Sequence, residues 1–204
     1  MRYGSEGYKK FNVMNNISYE INKWFNVSMK TSFNRTELSG LNQTRIHGDT
    51  FIGGDTRPIM PTKHPDGNWA GQGSFTNFIA VLEDGGSRVT RKNDFWNTLA
   101  TKITPIDGMS INLDYTFNFY SGVTKNHRKS FNEYGVDGEF LQSFAWMNPN
   151  NVNQSESDDT YNSFNLFADY EKTFGKHYLK GLVGYNQESK HIRNFSASRD
   201  NLIS

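Results

Sequence analysis

The sequence has no cysteine, which excludes a disulfide scaffold and any thiolate zinc or iron–sulfur site, while leaving the redox compartment open. Charge of one sign is also missing. Lys and Arg number 22 against 21 Asp and Glu, for a net charge of +1 and a pI near 7.9, so there is no electrostatic footprint for nucleic acid and no such partner is expected. Long apolar runs are absent: the longest, Phe78 to Leu82, is five residues, against the roughly 20 that a spanning helix needs. The first residues, Met1 to Lys10, contain no apolar segment followed by small residues, so they do not read as a secretory signal. The last residues, Asn201 to Ser204, carry no cap, turn or charged tail. The chain is therefore expected to be a slice of a longer protein.

What is present is aromatic. Only 35% of residues are hydrophobic and the mean hydropathy is −0.74, yet 15% are Phe, Trp or Tyr, a combination that does not suit a disordered chain. With 204 residues and 23.4 kDa there is room for one domain or one piece of a larger one.

Apolar residues recur with period two and almost nowhere with a helical period. Phe11, Val13, Ile17, Tyr19 and Ile21 alternate with Asn12, Met14, Asn16, Ser18 and Glu20, and the pattern resumes with Phe25, Val27, Met29, Thr31 and Phe33. A three-residue loop, Asn22-Lys23-Trp24, would keep both apolar rows on one face. A second hairpin runs from Phe95 through Thr104-Pro105-Ile106-Asp107-Gly108 to Met109 and on to Phe119, with Pro and Asp-Gly supplying the turn chemistry. A third joins Phe164–Tyr170 to Leu179–Tyr185 through Thr173-Phe174-Gly175-Lys176, with a change of parity. The expected strands are about 11–21, 25–35, 95–104, 109–121, 161–172 and 177–189. Between hairpins lie loops of about 55 and 40 residues, far above the usual length. All the tight turns fall at one end of the sheet and the long loops at the other, the asymmetry of outer-membrane barrels.

The apolar rows carry no charged residue, whereas the opposite rows hold Glu20, Lys30, Lys102, Asp114, Asp169, Lys180 and Glu188. A soluble sandwich would segregate charge in the same way. Strand length, aromatics gathered near the turns (Trp24, Phe25, Tyr170, Phe174, Tyr178) and an opposite face of Asn, Ser and Thr favour the barrel. The fold class expected is thus all-β: an antiparallel meander of about six long strands, a segment of a large transmembrane β-barrel with long extracellular loops and short periplasmic turns. Six strands cannot close such a barrel, so more must come from elsewhere.

The residues also resemble a known family, the SusC/RagA-type TonB-dependent outer-membrane transporters of Bacteroidota. The likeness lies in Phe11-Asn12-Val13 through Lys23-Trp24-Phe25 to Phe33-Asn34-Arg35, in Pro65-Asp66-Gly67-Asn68-Trp69, and in Asn93 to Ile103 running into Pro105 to Ser110. Its clearest part is Asn165 to Leu179, followed by Gly184-Tyr185-Asn186-Gln187-Glu188. Each motif alone is turn chemistry and alternation; their order and spacing carry the signal over most of residues 1–204. The resemblance implies a plugged barrel of which this chain is a partial wall, importing glycan fragments or peptides, energised by TonB and lidded by a SusD-like surface lipoprotein. It places the chain in the outer membrane, against lipid, with no cofactor and no enzymatic activity. The plug domain, the TonB box and the remaining strands have no counterpart in residues 1–204. The family usually has Asn-Pro before a short helix near Asn77, where this chain has Phe78. A helical patch is still expected, with Phe75, Phe78, Ile79 and Leu82 on one side and Asp84-Gly85-Gly86 ending it.

Catalytic and metal chemistry find little support. His47, His64, His127, His177 and His191 never fall at metal-ligand spacing, and the doublets Glu83-Asp84 and Asp158-Asp159 do not make a flanking carboxylate pair. The glycine pairs lack the Lys-Ser/Thr of a phosphate loop. Asn-X-Ser/Thr at Asn16, Asn26, Asn34, Asn42, Asn153 and Asn194 reads as chance in an Asn-rich chain. The functional candidates are loop aromatics, because sugars stack on flat rings. Trp69, Phe75, Tyr134 and Trp146 are the substrate-contact candidates, with Phe78, Phe140 and Phe144 beside them; the competing role for all is packing within the loops or against a lid. The alternative function is a soluble carbohydrate-binding β-sandwich that uses Trp96, Phe167 or Tyr178; a small general porin fits the long loops less well.

Overall fold

The structure, a computed structural model, describes residues 6–41, 61–71, 77–143 and 148–203. Six strands form one antiparallel sheet: β1 (Gly7–Asn22), β2 (Phe25–Leu41), β3 (Gly86–Ile103), β4 (Met109–Arg128), β7 (Asn151–Phe174) and β8 (His177–Asp200), in the order β1-β2-β3-β4-β7-β8. Between β2 and β3 lies one helix, α1 (Phe78–Asp84), and between β4 and β7 a small hairpin of β5 (Asn132–Tyr134) and β6 (Phe140–Ser143). No helix among the described residues is long and apolar enough to cross a membrane.

The meander is as expected; the strand lengths are not. Each main strand except β1 continues well past its expected end on the side away from the tight turns, so that β7 and β8 reach 24 residues each. The connections shrink accordingly to residues 42–85 and 129–150. Within the expected strands one face is apolar, and period two shows. Beyond them both faces are polar, so the alternation disappears while the backbone ladder goes on. Met109 to Arg128 on β4 pair with Tyr170 to Asn151 on β7 without a register shift.

Two turns are also shorter than expected. Lys23-Trp24 alone joins β1 to β2, and a bulge between Glu20 and Asn22 supplies the odd residue that a three-residue loop would have given. Gly175-Lys176 alone joins β7 to β8, with Gly175 at φ 60° in the first central position of a type II′ geometry. The β3–β4 turn is the expected one: Gly108 takes φ 81° and its carbonyl accepts from the Glu171 amide at 2.7 Å.

Register aligns the rows across strands. Tyr19, Val27, Thr101, Leu113, Leu166 and Tyr185 lie side by side, as do Phe25, Ile103, Ile111, Ala168 and Val183. No second layer among the described residues covers this face, and Val183 is 70% exposed. The described buried hydrophobic residues lie elsewhere, at Trp69, Ala70, Ala80, Val81 and Phe131. A sandwich would bury its apolar rows against a second sheet, so the soluble sandwich is set aside. The architecture is a single antiparallel wall, consistent with a barrel segment.

Candidate functional site

Three surfaces are defined by this wall. The first is the apolar face. On β2, β3 and β4 its band runs from Phe25 to Phe33, Phe95 to Ile103 and Ile111 to Phe119; on β7 and β8 it narrows to Phe164–Tyr170 and Leu179–Tyr185. At roughly 3.4 Å per residue and a tilt of about 40°, nine residues rise roughly 20–25 Å, the height of a lipid-facing band. Polar side chains inside the band and at its margin bond laterally: Asn97 donates to Thr31 Oγ1 at 2.7 Å, and the Tyr115 hydroxyl to Asn162 Oδ1, at the margin on β7, at 2.7 Å. Such pairing removes most of the cost of placing them away from water. Immediately past the band the same face becomes ionic. The Arg91 guanidinium meets Glu37 at 2.7 Å and that of Arg193 meets Asp158 at 2.8 Å.

The second surface is the opposite, wet face. Near its centre the Trp96 and Tyr161 rings meet at 6.2 Å above Asn118, which donates to Asp94 Oδ1 at 2.7 Å and to the Phe95 carbonyl at 3.0 Å. Thr98 and Thr116 hydroxyls pair at 3.0 Å, and Lys190 meets Asp159 at 3.5 Å. Two concavities open on this face. One, of about 490 Å³, lies towards the tight turns and holds charges of both signs, Glu20, Lys102 and Asp114. The other, of about 520 Å³, lies towards the long connections and is lined by Lys92, Tyr120, Gly122 and a set of hydroxyl side chains.

The third surface is a small loop body formed by residues 61–71, α1 and the β5–β6 hairpin. Asn77 builds it. Its Oδ1 caps α1 by accepting from the Ala80 amide at 3.2 Å, and its Nδ2 donates to the Thr62 and Ala70 carbonyls at 2.8 and 3.0 Å. Asn77 thus starts the helix without a following proline. The buried side of α1 centres on Ala80 and Val81, with Ile79 packed against the cluster, and is rotated from the expected Phe78 and Leu82.

Trp69 sits inside this body at 8% exposure: its Nε1 donates to Asp84 Oδ2 at 2.7 Å, Lys63 Nζ stands 3.9 Å over the ring, and Phe131 lies at 6.5 Å. A ring so enclosed organises the loop. Tyr134 is on β5, edge-on to Phe140 at 6.2 Å, and its backbone binds Trp69 and Gly71. The structure therefore brings Trp69 and Tyr134 together through main-chain bonds. Phe75, Phe144, Trp146, Asn42 and His47 lie outside the described residues. Beside Tyr134, Glu133 is fully buried; the Gln142 amide donates to its Oε2 at 2.8 Å, while Oε1 has no partner. Burial pushes the Glu133 carboxyl above its ordinary range, and the Gln142 bond opposes the shift. His64 spends its Nε2 on the Tyr134 carbonyl at 2.9 Å, and among the described residues no cluster of His, Cys, Asp or Glu suits a metal ion.

Sequence reasoning missed the wet-face group of Lys92, Tyr120 and Tyr161, and met Trp96 only as the sugar-binding ring of the sandwich alternative. The available signal was aromatic residues on rows otherwise filled by Asn, Ser and Thr.

No known family model matches the sequence, and no curated protein matches it. Among solved structures, the chain is similar to a RagAB peptide importer chain in a closed-closed state, with a TM-score of 0.70, 16% identity, and coverage of 98% of this chain and 23% of that one. The same importer in an open-open state gives 0.69 at 17% identity, with the same coverage, and a RagAB peptide transporter gives 0.63 at 16% identity, covering 96% and 22%. At these identities the likeness is one of fold. The chain spans less than a quarter of the length of the chains it matches.

Proposed function

We propose that this chain is part of the barrel wall of a SusC/RagA-type TonB-dependent transporter of the outer membrane, importing glycan fragments or peptides under a SusD-like surface lipoprotein. The observation that carries the reading is the uncovered apolar band on a single-layered sheet, of bilayer height and without a charged residue. The solved importers of the same fold support it. In this reading the wet face lines the lumen, the tight turns face the periplasm, and the loop body stands outside the cell. TonB, reached through other parts of the protein, supplies the energy. Of the four loop aromatics proposed for substrate contact, Tyr134 presents a partly exposed ring on an ordered hairpin, and Trp69 holds that hairpin in place.

The chain has no native cysteine, so in a membrane-inserted transporter whose other segments are also cysteine-free, one cysteine can be introduced at a time and labelled with a fluorophore. A label at Leu113 should be quenched by a lipid-phase quencher and one at Asn165 by aqueous iodide. Equal iodide quenching at the two positions would remove the transporter reading.

A further inference from the structure

Above the apolar band the wet face changes character, and one row of it holds two lysines and no carboxylate. Register places Lys10, Thr36, Lys92, Gly122, Ser157 and Asn194 side by side. Neither carboxylate of the row below forms an ion pair with Lys92: Asp94 accepts from the neutral Asn118 amide at 2.7 Å, and Asp159 accepts from Ser157 at 3.3 Å and pairs with Lys190 at 3.5 Å. The row above, Tyr8, Leu38, Thr90, Thr124, Ser155 and Ser196, is uncharged. Glu156 also borders the 520 Å³ concavity, but register turns its side chain to the other face, where the Gln154 amide donates to its Oε1 at 2.7 Å. Lys92 is therefore the one cation on the wet-face lining of the concavity, with no carboxylate partner among the described residues.

The rest of the lining is built for a polar ligand with some flat surface. Thr90 and Thr124 bond to each other at 3.2 Å, which fixes two hydroxyls on the floor. The Tyr120 ring leans over Gly122 so closely that a Cβ there would stand 2.9 Å from its hydroxyl. Gly122 thus leaves room for the ring to lie along the wall instead of projecting from it. One flat ring, one ammonium and several hydroxyls within the same hollow match a ligand that carries an anionic group on a hydroxyl- or amide-rich body.

We propose that this hollow, centred on Lys92, Tyr120 and Gly122, is a subsite for a carboxylate-bearing oligomer, with the carboxylate on Lys92 Nζ. The subsite rests on the transport reading and narrows it, because it selects acidic cargo over its neutral counterpart. Uronic-acid oligosaccharides and acidic peptides share the required chemistry.

The test uses the complete transporter carrying this chain, as wild type, Lys92→Ala and Lys92→Arg. Binding is measured by calorimetry for galacturonate trimer against its methyl ester, and for a glutamate-containing peptide against the same peptide with its glutamates as glutamines. At least one acid should bind about tenfold more tightly than its neutral partner. That advantage should vanish in Lys92→Ala, return in part in Lys92→Arg, and fall with added salt. Equal binding within both pairs, or an advantage that survives Lys92→Ala, would overturn the subsite. Import separates the two readings. Uptake without acid preference defeats the subsite and leaves the transporter; Lys92-dependent binding without uptake of any oligomer supports the subsite and defeats the transporter.

Discussion

Leu99 occupies the row Met29, Leu99, Tyr115, Phe164, midway between the Phe25 and Phe33 rows, so it marks the centre of the apolar band on β3. If that face meets hydrocarbon, Leu99→Arg places a guanidinium at mid-depth, at a cost of about 2–4 kcal/mol. The folded-to-unfolded ratio should then fall roughly 30- to 700-fold. Two controls separate depth from face. Ala100→Arg sits at the same depth on the wet side, opposite Asp114 on β4, and should cost under about 1 kcal/mol. Val89→Arg sits on the same face as Leu99 but ten residues further along β3. At about 2.5 Å of rise per residue it stands roughly 25 Å from mid-depth, outside a hydrocarbon half-thickness of about 15 Å. Its cost should be near zero. Urea titration of the complete protein refolded into vesicles measures all three. A Leu99→Arg cost no larger than that of Ala100→Arg would refute the lipid-facing assignment.

Other perturbations test the joints of the wall and the loop body. Gly108→Ala should destabilise the β3–β4 turn by roughly 1–3 kcal/mol, since φ is 81° and the new Cβ would collide with the Glu171 carbonyl oxygen; Gly181→Ala, with open space around it, should be neutral or stabilising in the same titration. Trp69→Ala removes an enclosed ring and its bond to Asp84, so the amides of Gly71 and Tyr134 should exchange with solvent roughly a hundredfold faster while those of β4 stay unchanged. The folded loop body holds a proton on Glu133 more tightly than the unfolded chain, whose carboxyl titrates near 4.5. Stability of the loop body is therefore full below that value and declines as pH rises through the raised folded value. Proteolysis of the loop body across pH should show that decline, and Glu133→Gln should flatten it.

How much of this was legible in the sequence follows from where the two faces of the sheet differ in polarity. The strands were readable wherever Phe, Leu or Val on one face alternates with Asn, Ser or Lys on the other, as from Phe25 to Phe33. Past Arg35, Asn93, Ser121, Asp158 and Arg193, which share one row on the formerly apolar face, both faces are polar. Period two then carries no signal, and only backbone pairing reveals the strands. The bulge near Ile21 was hidden for a related reason: it preserves parity, so a three-residue loop and a two-residue turn plus bulge predict the same apolar row. The helix was readable from its apolar run and its Asp84-Gly85-Gly86 stop. Its buried side was not, because that side is set by Asn77 reaching to Thr62 and Ala70. The Lys92 hollow needs strands far apart in sequence to be set in register before its residues become neighbours.

The uninterrupted ladder from Met109 to Arg128 against Asn151 to Tyr170 has a mechanical corollary. The portion that bears the apolar band and the polar palisade beyond it are one stiff beam without a joint. A pull on the rim beside the loop body is borne by backbone hydrogen bonds loaded in parallel, and the load passes straight into the portion that bears the apolar band. The long strands thus form a fixed frame, and the smaller loop body is carried at one end of it.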